Sequence, residues 1–341
     1  MADAVVVDSW DGQRVRLSQV TGALAELRNR TAERSTTRTA VMTLVVVVPD
    51  DDAASAATAA IHALGGHHPA RILVLQPHPD QVAVLDACAA LYSTSGGVPT
   101  APTSGSDGPS STTHPVNFEE ISLLVGGQAA LHLDSLVDTF TLADLPVTVW
   151  YPNAVPVAAD PLLSVADAVI VDTEAGPGTE DLLGLLQLSR RRAVVDLSWV
   201  RLAPWRELLA GLFDGPDARR YLGGVAGAQV RGSKGARTLL SGWLAAQLRL
   251  RPDQIRSEPG PTPAVTLTCA TDGETATFDV AKVSGRPAIW AAATLAGDPS
   301  GRQVLGLADD PLASSLGDAL THLRVDAVWQ RALSAAASLS V

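Results

Sequence analysis

Short apolar runs recur along the first two thirds of the chain, each closed by polar or turn-forming residues. Residues 43–48 (TLVVVV) are rich in β-branched side chains and stop at Pro49, which reads as a strand buried on both faces. Asp50, Asp51 and Asp52 then offer acidic caps to an alanine-rich helix ending near Gly65 and Gly66. Residues 71–75 (RILVL) predict the next strand, and 82–91 a second helix. Further strands are expected at 120–125, 147–151, 168–172 and 193–197, with helices at 128–138 and 179–188. Apolar strands alternating with helices predict an α/β fold with a mostly parallel, doubly wound sheet.

Two stretches break this rhythm. Residues 93–116 are almost wholly Gly, Ser, Thr and Pro; such a tract cannot bury a core and is expected to be a flexible insert. After residue 213 the pattern changes. A helix is expected at 234–248 and a proline-rich linker at 252–263. Alternating runs at 264–271 and 274–283 flank Asp272 and Gly273, a strong hairpin signal. Strands at 288–295 and 303–308 and a helix near 312–339 follow. The expected division is an N-terminal extension (1–39), an α/β domain (40–213) and a smaller α+β domain (214–341) with an antiparallel sheet.

The 341 residues carry a net charge of −11, which disfavours nucleic acid as a partner. The charge is uneven: residues 186–256 hold 13 Lys or Arg and five acids, a net of +8. Such an island can meet an anionic small molecule or an acidic partner, or pair with the protein's own carboxylates. No apolar run approaches the roughly 20 residues of a membrane span, and the first residues have no signal-peptide pattern. Cys88 and Cys269 are too few for a disulfide framework, so the expected compartment is the cytoplasm. Tryptophan is over-represented, at seven against four Phe and three Tyr.

Catalytic signatures are weak. The segment from Gly227 to Lys234 has its Ser and Lys in the reverse order from a phosphate-binding loop. His78 and Asp80, in Pro-His-Pro-Asp after the strand at 71–75, resemble the opening of a zinc deacetylase motif. Gln81 and Val82 stand where its remaining carboxylates belong, and those oxygens are what zinc chemistry requires. His62, His67 and His68 lack an obvious acidic or thiol co-ligand. The expectation is therefore no catalytic set, no metal and no cofactor. A zinc hydrolase built on His78 and Asp80, and a sensor of sugar phosphate or nucleotide at the basic island, remain the alternatives.

Two segments are unusual in composition, 145–152 (LPVTVWYP) and 196–214 (DLSWVRLAPWRELLAGLFD). Strand alternation in the second puts Val195, Leu197 and Trp199 on one face, and Asp196 and Ser198 on the other. Pro204 suits a first helical turn, after which Trp205, Leu208, Leu209 and Leu212 share a face. The polar groups collect where a strand ends and a helix begins, the edge at which α/β sheets bind ligands. With 44–48 (LVVVV), 67–75 (HHPARILVL), 166–172 (ADAVIVD) and 239–248 (LLSGWLAAQL), these segments resemble, in content and order, the glucose-6-phosphate dehydrogenase assembly protein family, OpcA. The family's HP.R element is met by His68, Pro69 and Arg71, and Tyr151 stands where the family often has a second Trp after Trp150. The resemblance implies a non-catalytic subunit that binds glucose-6-phosphate dehydrogenase and promotes its assembly or activation in the oxidative pentose phosphate pathway. The expected contact residues are Asp196, Ser198, Trp199, Arg201, Arg206, Trp150, Tyr151, His68 and Arg71, with Asp196, Ser198, Arg201 and Arg206 exposed.

Overall fold

The computed structural model describes residues 4–32, 40–64, 70–94, 116–175, 179–299 and 301–339. It divides into two compact units, residues 1–170 and 171–341, rather than at residue 213. The elements of the first unit, in order, are β1 (Ala4–Gly12), α1 (Leu17–Ala32), β2 (Met42–Val47), α2 (Asp51–Ala63), β3 (Ala70–His78), β4 (Leu85–Thr94), β5 (Val116–Gly126), α3 (Leu133–Phe140), β6 (Val147–Tyr151) and β7 (Ala168–Val171).

The first unit is built on a sheet of order β1-β4-β5-β3-β2-β6-β7. β5, β3, β2 and β6 run parallel, while β4 is antiparallel to both β5 and β1. The apolar runs of β2 and β6 are buried along almost their whole length, as strands inside a parallel sheet must be. Asp50 caps α2 by accepting from Ala53 N at 2.8 Å.

Two expectations change here. Residues 82–91 form no helix: β4 runs from Leu85 to Thr94, with Ala89, Ala90 and Leu91 buried. Flanked on both sides by β1 and β5, this run places small apolar residues on both of its faces and so has no clean period of two to betray it. The segment 1–39 is no appendage, because β1 pairs with β4 from Ala4 to Gly12 and α1 buries Val20, Leu24 and Leu27. The insert expected at 93–116 is bracketed by the ends of β4 and β5, and residues 95–115 lie outside the described residues.

The second unit contains α4 (Thr179–Ser189), β8 (Ala193–Asp196), α5 (Leu197–Arg201), α6 (Ala203–Gly211), α7 (Pro216–Arg219), β9 (Val225–Gly232), α8 (Lys234–Leu248), β10 (Ile255–Pro259), β11 (Ala264–Thr271), β12 (Glu274–Lys282), β13 (Ala288–Leu295), β14 (Asp298–Pro299), β15 (Gln303–Gly306), α9 (Pro311–Thr321) and α10 (Ala327–Leu339). Its seven-stranded sheet has the order β10-β9-β11-β12-β13-β14, with β15 also on β13. Every pairing is antiparallel except β10 on β9. The expected linker at 252–263 thus supplies a strand, and the single C-terminal helix is two. Gly242 lets α8 pack close on α10: a Cβ there would collide with the Ala332 carbonyl.

Candidate functional site

The polar segment around residue 196 folds differently from its alternation. The strand ends at Asp196 and the chain turns at once into α5. Asp196 is the N-cap of that helix, its side chain accepting from Ser198 N at 3.0 Å, which satisfies one of the free amides of the first turn. Its oxygens also accept from Thr173 N at 3.1 Å, Thr173 Oγ1 at 3.0 Å and Trp329 Nε1 at 3.2 Å. Asp196 is 1% exposed. Burial, and then the charge of Asp172, push its carboxyl up to about 6.

Asp172 closes β7 as Asp196 closes β8. It accepts from Ser198 Oγ at 2.5 Å, and Arg201 Nη2 reaches both its oxygens at 2.7 and 2.8 Å. Ser198 Oγ in turn accepts from Glu174 N at 3.0 Å and lies 3.2 Å from Arg201 Nη2. Its donor and acceptor capacity is taken up, so it is no free nucleophile. Glu174 receives Ser233 Oγ at 2.6 Å. The first turn of α8 fits beside Glu174 because position 235 is glycine, whose Cβ would lie 2.9 Å from the Glu174 backbone.

Trp199 lies beneath this network. Its indole nitrogen donates to Asp326 Oδ2 at 2.8 Å, and the Arg206 guanidinium stacks 3.3 Å from its ring centroid. Asp326 also receives Val328 N and Trp329 N, so it caps α10. Burial lowers Arg206 to about 10, and its Nη1 is buried without a hydrogen-bond partner. Trp205 donates to Pro263 O at 3.1 Å.

An open cleft of about 700 Å³ adjoins the network, with Glu174, Ser198, Arg201, Trp205, Ser233 and Lys282 among its lining. On its wall the carboxylates of Glu174, Glu207, Asp309 and Asp318 outnumber the cations Arg201 and Lys282. Among the described residues no histidine or cysteine lines it, and no group of three His, Cys, Asp or Glu is arranged to hold a metal.

The expected contact residues are therefore placed mostly inside. Asp196, Ser198 and Trp199 are buried, not exposed, because the chain is helical from Leu197 and turns those side chains toward Asp172, Thr173 and the start of α10. Arg201 and Arg206 are half-buried. In the first unit Trp150 and Tyr151 are buried in β6. Arg71 is 7% exposed, donating to Glu119 Oε2 at 2.9 Å and to Phe140 O at 2.7 Å. His68 lies outside the described residues. His78 ends β3, with Asp80 exposed in the turn beyond it.

Four of the island's thirteen cations form ion pairs with the chain's own acids among the described residues: Arg201 with Asp172, Arg220 with Glu274, Arg231 with Glu258 and Arg251 with Asp253. Asp172, Thr173, Glu174, Asp326 and Trp329 carry no chemical signature of their own in the sequence. The apolar-run-then-aspartate pattern, seen at both 168–172 and 193–196, was the one local signal for the first of them. No helix among the described residues is long and apolar enough to cross a membrane.

Comparison with known proteins gives the context. Residues 61–191 match the family model of the glucose-6-phosphate dehydrogenase subunit N-terminal domain, and residues 192–333 that of the C-terminal domain. The OxPP cycle protein OpcA of Synechocystis sp. is 36% identical over 150 residues, covering 42% of this chain and 32% of that protein. The OxPP cycle protein OpcA of Synechococcus elongatus is 31% identical over 150 residues, 41% of this chain and 34% of that protein. The matched region thus spans about a third of these relatives. Among solved structures, a 3-ketoreductase from Actinomadura kijaniata superposes with a TM-score of 0.44 at 12% identity, over 88% of this chain and 95% of that one. An oxidoreductase from Thermotoga maritima gives 0.41 at 8% identity, over 88% and 94%. With both domain models matched in sequence order, the chain belongs to the OpcA family of glucose-6-phosphate dehydrogenase subunits.

Proposed function

We propose that this chain is a non-catalytic subunit of glucose-6-phosphate dehydrogenase, binding the enzyme in the cytoplasm and favouring its active assembly in the oxidative pentose phosphate pathway. The observation that carries this reading is the pair of consecutive domain matches, from residue 61 to residue 333. The saturated hydroxyl of Ser198 and a cleft without histidine or cysteine among the described residues are compatible with it. Such a subunit acts by differential affinity: it shifts the enzyme toward its active assembly only as far as it binds that assembly more tightly, about 1.4 kcal/mol for each tenfold shift.

In this reading Arg201 and the exposed Glu207 at the cleft rim contact the enzyme. Asp196, Ser198, Trp199 and Arg206 position that rim from within. Arg71, Trp150 and Tyr151 support the sheet of the first unit. The test is co-purification with the dehydrogenase, together with its activity and oligomeric state with and without this chain. A complex with raised activity or altered assembly is expected. No complex and no change in either would overturn the reading. Charge reversal at Glu207 is expected to weaken the complex in a chain that still folds, and undiminished binding would remove the rim from the account.

A further inference from the structure

The cleft of about 700 Å³ beside the Asp172 and Asp196 network is lined along one side by α9. Pro311, Ser314, Ser315 and Asp318 line it, and their steps of three, one and three residues put them on a single helical face. At about 1.5 Å of rise per residue, that face is roughly 10 Å long. α6 adds Pro204, Trp205 and Glu207, and the chain before β11 adds Pro261, Thr262 and Pro263. The charged side chains of Glu174, Glu207, Lys282, Asp309 and Asp318 belong to exposed residues.

The lining is short of hydrogen-bond donors. Five of its residues, Pro204, Pro261, Pro263, Pro287 and Pro311, have no amide N–H. Trp205 Nε1 already donates to Pro263 O at 3.1 Å, Ser233 Oγ to Glu174 Oε2 at 2.6 Å and Ser315 Oγ to Leu312 O at 3.1 Å. Arg201 Nη2 is held by both oxygens of Asp172. Acceptors are in surplus. Among the described residues the side chains of Glu207, Asp309 and Asp318 have no ion pair and no hydrogen bond, and Lys282 is the one lining cation outside an ion pair. Four carboxylates thus face a single unpaired ammonium.

We propose that this cleft takes an extended segment of the dehydrogenase that carries arginine or lysine. The assignment rests on the reading of this chain as a subunit of that enzyme, and it names the chemistry of the contact. An extended chain brings free backbone N–H groups and cationic side chains, the two kinds of donor that the lining lacks. At about 3.3 Å per residue, three or four residues span the face of α9. The surplus of carboxylates attracts a cationic segment and speeds its encounter. The same surplus repels a sugar phosphate or a nucleotide, so this cleft is not the anion sensor that the basic island suggested.

The test pairs the full chain with a fluorescein-labelled Pro-Arg-Pro-Pro-Arg-Pro peptide, read by anisotropy, with a Glu-for-Arg peptide as control. The cationic peptide is expected to bind, the acidic one is not, and added salt should weaken the binding. Glu207→Gln combined with Asp309→Asn should weaken it about tenfold, and Lys282→Glu should tighten it about threefold. All three positions are exposed, so the circular dichroism spectra should match the wild type. If the double variant fails to fold, Lys282→Glu carries the test. Unlabelled dehydrogenase should displace the bound peptide. No peptide binding, equal binding of the acidic peptide, or folded variants without effect overturns the proposal, and co-purification of the dehydrogenase then leaves the wider reading intact. A peptide that the dehydrogenase fails to displace, although the complex forms, places the enzyme elsewhere and also overturns it. A bound peptide with no complex at all overturns the dehydrogenase reading, and with it the source of the segment, while the preference of the cleft for cationic chains stands.

Discussion

The indole nitrogen of Trp329 lies 3.2 Å from Asp196 Oδ2, and it is one of four donor groups that converge on this buried carboxylate. Burial and the neighbouring Asp172 still push the group up to about 6. A carboxyl whose folded-state pKa exceeds its unfolded value holds its proton more tightly in the folded chain. Its contribution to stability is therefore greatest in acid and falls as pH rises through about 6. Relative to Asp196→Asn, the wild type should lose on the order of 2 kcal/mol between about pH 4 and pH 7. Urea unfolding of both proteins across that range measures it, and a difference that is flat or grows with pH contradicts the assignment.

Glu119 has the opposite sign. Burial opposes its ionisation, but the guanidiniums of Arg28 and Arg71 outweigh that and hold its carboxyl below the usual range. Stability from this group is present above its unfolded pKa and is lost as pH falls through the folded value. Glu119→Gln leaves Arg71 buried without its counter-charge, which should cost about 3 kcal/mol near neutrality. The cost should shrink toward strong acid, where the wild-type carboxyl is itself protonated. The same unfolding series reads it out.

Arg206 separates packing from charge. Its guanidinium covers the Trp199 ring, yet Nη1 is buried without a partner. Arg206→Ala removes the stack and leaves a gap, an expected loss of about 1–2 kcal/mol. Arg206→Met keeps the stem and removes the buried charge, and should be near neutral or stabilising. Thermal midpoints that fall equally for both would show that the charge itself is needed.

Two glycines should respond in opposite directions to alanine. Gly235→Ala drives a methyl group to 2.9 Å from the Glu174 backbone and should destabilise by about 1–3 kcal/mol. Gly184 lies in α4 with nothing within 4 Å of its absent Cβ. Gly184→Ala should stabilise by about 0.5–1 kcal/mol through helix propensity. Chemical denaturation of the two variants side by side is sufficient.

What could be read in advance follows from how local each signal is. β2, β6 and β7 announce themselves as apolar runs because strands buried on both faces carry no polar alternation. The hairpin at Asp272 and Gly273 is legible because both residues take positive φ, 51° and 81°, which that residue pair tolerates. β4 stays hidden because its alanine-rich run, with apolar residues on both faces, satisfies helix and strand alike. The site was half legible. Ser198 and Arg201 stand out in the sequence, but strand alternation misorients them, because the strand ends at Asp196 and that residue caps a helix. Asp326 and Trp329 have no local signature at all: they matter only through side chains brought to them by the fold.

Asp326 and Trp329 have a consequence for how the chain is made. Trp199 and Asp196 are separated from these partners by 127 and 133 residues. On a ribosome that extends a chain by roughly 5–20 residues per second, both wait several seconds for the segment that satisfies them. Until α10 emerges, the carboxylate and the indole have only part of their complement, so the region around residue 196 should reach its final form only once the C-terminal helix is made. Nascent chains stalled before and after residue 326 should therefore differ most in protease sensitivity between Asp196 and Arg206.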